Sequence, residues 1–66
     1  SIQSIVDDLK ISAQRGAQIT VENGQVMYDG QAVDLKSMGA SDESIEIIKT
    51  EIERFVAEQA GRSQHE

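Results

Sequence analysis

An α+β fold is predicted: a small single domain built as helix, short antiparallel β-hairpin or meander, helix, with both helices packed on one face of the sheet. Two turn dipeptides, Asn23-Gly24 and Asp29-Gly30, break an alternating apolar stretch between Ala17 and Leu35. On either side of that stretch the apolar residues recur at helical spacing instead.

The first helix is read from Ile2, Ile5, Val6, Leu9 and Ala13, which share one helical face, with Ser1 placed as its cap and Asp7 and Asp8 on the outer side. Gly16 is its expected stop, because glycine takes the left-handed conformation that closes a helix without steric cost. Ile11 lies off the stripe, where a monomer would expose it.

A two-residue type I′ turn at Asn23-Gly24 sets Glu22 opposite Gln25, Val21 opposite Val26, Thr20 opposite Met27 and Ile19 opposite Tyr28. Ile19, Val21, Val26 and Tyr28 then share one side. A second such turn at Asp29-Gly30 opposes Tyr28 to Gln31, Met27 to Ala32 and Val26 to Val33, adding Val33 and Leu35 to the apolar face. From Asp34 onward the chain has two readings. Either a third strand continues to Leu35, or Asp34 opens a helical turn through Lys36, Ser37 and Met38 to Gly39.

For the second helix Ser41 is the N-cap, Asp42 and Glu43 occupy the first turn where the dipole favours carboxylates, and Ile45, Ile48, Ile52, Phe55 and Val56 form the stripe. Gly61 is the expected stop, giving a single domain over 1–61 and a polar, flexible tail over 62–66. Ile47 stands off the stripe, beside Arg54. The second helix also carries a ridge of Asp42, Glu46, Lys49 and Glu53 at spacings of four, three and four, in which Lys49 is within reach of both Glu46 and Glu53.

With 66 residues and no cysteine, the chain buries only roughly 60% of the surface that its unfolded form exposes and lacks disulfides to compensate. A second subunit is therefore expected, and a homodimer is the simplest form of it. The six Lys and Arg residues against twelve Asp and Glu give a net charge of -6, and the basic residues form no run. That balance disfavours direct nucleic-acid binding, which draws on clustered cations, and favours a partner with a basic surface. No apolar run is long enough to span a bilayer, and Asp7 and Asp8 interrupt the start before a signal-peptide core could form. A cytoplasmic location suits the lack of cysteine.

Catalytic chemistry finds little to work with. The one histidine, His65, lies at the end of the chain, away from any serine that would need it as a base. The paired carboxylates fall on polar helix faces, which offer general acid–base catalysis no buried acid. Glycine spacings match no phosphate loop, and Asp29 to Asp34 lacks the closing Glu of a calcium loop. No catalytic residue, cofactor or metal is expected. The expected function is a small acidic, non-enzymatic protein–protein interaction module of the phage or plasmid accessory type, which inhibits or otherwise regulates its partner. Ile11, Met38 and Ile47 are the candidate contact residues, and Asp42, Glu46 and Glu53 provide electrostatic complementarity. Two alternatives are a structural assembly subunit, such as a virion joining protein, and a dimeric transcriptional or antitoxin-type regulator.

Overall fold

A computed structural model of the chain describes residues 1–63. The elements are α1 (Ile2–Gln14), β1 (Ile19–Glu22), β2 (Gln25–Tyr28), β3 (Gln31–Ala32) and α2 (Asp42–Ser63). The strands form one antiparallel sheet in the order β1-β2-β3.

Both hairpin turns have the geometry that their sequences demand. Asn23 and Gly24 sit at φ 53° and 75°, and Asp29 and Gly30 at 49° and 85°. Positive φ at both central residues is the mark of a type I′ turn, whose twist matches that of the flanking strands. The resulting register is Ile19 to Tyr28, Thr20 to Met27, Val21 to Val26 and Glu22 to Gln25, followed by Met27 to Ala32 and Tyr28 to Gln31, as the sequence predicts. Asp29 adds a clasp: its Oδ1 accepts from the Gln18 amide at 2.8 Å while its own amide donates to the Gln18 carbonyl.

The third strand and the helical turn both exist, in succession. β3 is two residues long, and the Val33 amide adds one more bond to the Val26 carbonyl. Asp34 then ends the extended path, because its carboxylate accepts from both the amide and the hydroxyl of Ser37 and folds the chain into the turn over 35–39. Gly39, at φ 94°, lets the chain leave that turn towards α2.

The two helices run side by side in the same direction. Ile2 and Ile5 share a groove with Ser44 near the start of both helices, and Ala13 shares one with Phe55 and Val56 further along. α1 packs against α2, and α2 packs beneath β1 and β2. One core results, formed by Val6 and Leu9 of α1, Ile19 and Val26 of the sheet, Leu35 of the turn, and Ile48 and Ile52 of α2. Ile48 and Ile52 are fully excluded from solvent, so the α2 stripe is the centre of the molecule. At its edge the Lys10 ammonium lies 5.8 Å from the centre of the Phe55 ring, a cation–π contact that extends the α1–α2 seam.

Two expectations need correction. Tyr28 is on the apolar side by register, yet it is 39% exposed. It stands at the end of β2 next to a turn, where its hydroxyl keeps water at little cost. Gly61 does not stop α2, which continues to Ser63. The helix formers Ala57, Glu58, Gln59 and Ala60 carry it past the core, and Gly61 lacks the positive φ of a closing glycine. A closing motif also draws on an apolar residue just beyond the glycine, and the chain has only Arg62, Ser63 and Gln64 there. Arg62 and Ser63 are therefore helical rather than part of a tail, and residues 64–66, including His65, lie outside the described residues.

Candidate functional site

The polar face of α2 concentrates the charge of the chain. Asp42, Glu43, Glu46, Glu51, Glu53 and Glu58 all lie on this one helix, half of the acidic residues in the sequence. Its start is set by Ser41, whose hydroxyl oxygen accepts from the Ser44 amide at 3.1 Å. The first-turn carboxylates add a favourable interaction with the helix dipole. Packing of the stripe on the sheet then leaves these side chains on the outside.

The ridge is partly tied down. Asp42 is bridged at 3.0 Å by Lys36 from the turn after β3, a tertiary contact with no signature in the sequence. Glu46 is bridged by Lys49 at 2.7 Å. The expected second pairing of Lys49, to Glu53, is not made. The Lys49 side chain is only 19% exposed because it lies against the hairpin: its Nζ sits 3.9 Å from where a side chain on Gly24 would begin. Glu53 consequently makes no ion pair among the described residues.

Ile47 is 50% exposed and shares a shallow depression with Glu46, Thr50 and Glu51. Glu51 is held by Arg54 at 2.9 Å. The remaining candidate contacts lie elsewhere. Met38, 52% exposed, sits at the turn before α2 and lines the groove with Ile2 and Ile5. Ile11, 45% exposed, is on α1 and lines neither of these depressions. The geometry thus joins Ile47 to Glu46 within one acidic surface and leaves Ile11 and Met38 as separate apolar points.

One further concavity has no signature in the sequence. Between the sheet and the first half of α2 runs a cleft of about 270 Å³ whose floor is Val26, Val33, Leu35 and Ile45. Asp34, Lys36 and Lys49 stand at its rim. Asp34 is held below the usual carboxylate range, first by the hydrogen bond from the Ser37 hydroxyl and then by that from the Ser37 amide. Period-2 and period-3.6 patterns reveal which residues are apolar, but not where two packed elements leave a gap. Among the described residues, no three acidic or histidine side chains gather closely enough to hold a metal ion, and no helix is long and apolar enough to cross a membrane. Comparison of the chain with protein-family models, with curated proteins and with solved structures yields no match.

Proposed function

We propose that this chain is a small acidic, non-enzymatic protein–protein interaction module, of the accessory kind found in phages and plasmids, which acts in the cytoplasm by binding a partner with a basic surface and regulating it. The observation that carries this reading is Ile47, half exposed and flanked by Glu46 and Glu51 on the most acidic helix of the molecule. An apolar contact within a charged surround is the usual anatomy of a recognition surface, where the apolar residue supplies affinity and the charges supply rate and selectivity. Glu53, which makes no ion pair among the described residues, and the exposed ends of the Asp42 and Glu46 bridges extend the negative field along the same helix.

The test is affinity capture from the native host, with mass spectrometry, using the parent chain, Ile47→Asp, and a double reversal Glu46→Lys with Glu53→Lys. One predominant partner with a basic surface should be recovered by the parent and lost by both variants. Identical capture by all three proteins would remove α2 from the proposal. Ile11 and Met38, exposed on other sides, support a second contact by which the chain forms a homodimer; sedimentation of Ile11→Asp and Met38→Asp against the parent tests it, and a parent that is monomeric at every concentration overturns it.

A further inference from the structure

We infer that the cleft between the sheet and α2 is a docking site for an extended peptide segment of the partner, which adds as a strand to β3 and inserts an apolar side chain flanked by Lys or Arg. The inference rests on the interaction reading above and names its peptide-binding site.

The open edge follows from the ladder. The Val33 amide donates to the Val26 carbonyl at 2.9 Å, so the pair one step back, Ala32 with Met27, is one whose backbone groups do not face each other. The N–H and C=O of Ala32 therefore point away from β2, along the free edge of the sheet. Ala32 is exposed, and among the described backbone hydrogen bonds none outside the ladder involves it. An edge of this kind is a template for another strand.

Beneath that edge lies the cleft. Its floor of Val26, Val33, Leu35 and Ile45 offers an apolar side chain a place against the core, on the same side of the sheet that an added strand would address with alternate residues. The charge at its mouth selects the flanking residues. Lys36 and Lys49 are each bound by a carboxylate, Asp42 and Glu46, while Asp34 is kept ionised by Ser37. Each ammonium group at the rim is thus offset by a carboxylate, which leaves Asp34 as the uncompensated charge there, on a chain of net charge -6. The surplus is negative, which favours a basic segment over an acidic one and over a second copy of this chain, whose own surplus is of the same sign.

A display library of random eight-residue peptides is selected against the full chain, and the enriched peptides are measured by fluorescence anisotropy on the parent and two variants. Ala32→Pro removes the outward N–H without touching a bond to β2, since proline is tolerated where a strand amide faces solvent. Ile47→Asp alters the acidic face but not the cleft. Enriched peptides should carry an apolar residue beside Lys or Arg, bind Ala32→Pro at least tenfold more weakly, bind Ile47→Asp as they bind the parent, and shift the amide resonances of Ala32 to Lys36. Acidic peptides, no enrichment, or affinity indifferent to Ala32→Pro would overturn the docking site. Loss confined to Ile47→Asp would do so while leaving the interaction reading intact. A parent dimer that dissociates in Ala32→Pro would give the edge to a second copy and overturn the peptide assignment.

Discussion

Asp34 shows how one side chain can decide the path of the chain. Its carboxylate receives two hydrogen bonds from Ser37, and these hold its pKa below the unfolded value. A depressed carboxylate stabilises the fold above its unfolded pKa, and that contribution disappears as pH falls through the folded value. The turn at 35–39 should therefore loosen below the ordinary carboxylate range while remaining intact near neutrality. Amide shifts of Ser37 to Gly39 followed from pH 6 to pH 2 should report the transition, and Asp34→Asn should remove it from these residues. Ser41 is a second residue with a single task. Because its hydroxyl accepts from the Ser44 amide, Ser41→Ala should destabilise the protein by about 1 kcal/mol in denaturant titration, and an unchanged midpoint would show that the cap contributes nothing.

Turns and helix ends divide the glycines into two classes with opposite responses to alanine. Gly24 has φ 75° in the first hairpin turn, where a side chain strains the backbone, so Gly24→Ala should cost roughly 1–2 kcal/mol. Gly61 sits within α2 without positive φ and with open space around it. Gly61→Ala should instead stabilise by a few tenths to about 1 kcal/mol, read as higher helicity and a later unfolding midpoint. If Gly61→Ala were as damaging as Gly24→Ala, α2 would have to end at Gly61 after all. The elements themselves were largely legible in the sequence. Both I′ dipeptides prescribe the strand register with no tertiary information, and the stripes of both helices follow from local spacing. The end of α2 was less legible because a glycine is compatible either with closing a helix or with a small penalty inside one, and the chain beyond it decides which.

Taken as a molecule, the domain depends on a very small core whose centre is Ile48 and Ile52, both fully buried. A chain of this length has a stability on the order of 3–10 kcal/mol, and Ile52→Ala should remove roughly 2–5 kcal/mol of it by leaving a cavity under the sheet. Loss of cooperative unfolding or a large fall in midpoint is expected, whereas Thr50→Ala, on the exposed side of α2, should change little. The same division governs recognition. The buried side of α2 holds the fold together, and the opposite side carries Ile47 and the carboxylates that the proposed partner would meet. Salt should weaken partner binding while leaving the denaturation midpoint nearly unchanged, because exposed charges are screened and the core is not. Equal sensitivity of both measurements would imply that the acidic ridge is structural.

Local backbone chemistry sufficed for the order of elements, the two turns, the strand register and the exposure of Ile11 and Ile47, since each depends on residues within a few positions of one another. Tertiary packing alone decided that Lys36 binds Asp42, that Lys49 leans on the hairpin and pairs with Glu46 but not with Glu53, and that a cleft opens between β3 and α2. Those features join residues from separate elements, and their distances depend on how one surface settles against another, which no repeat along the chain encodes.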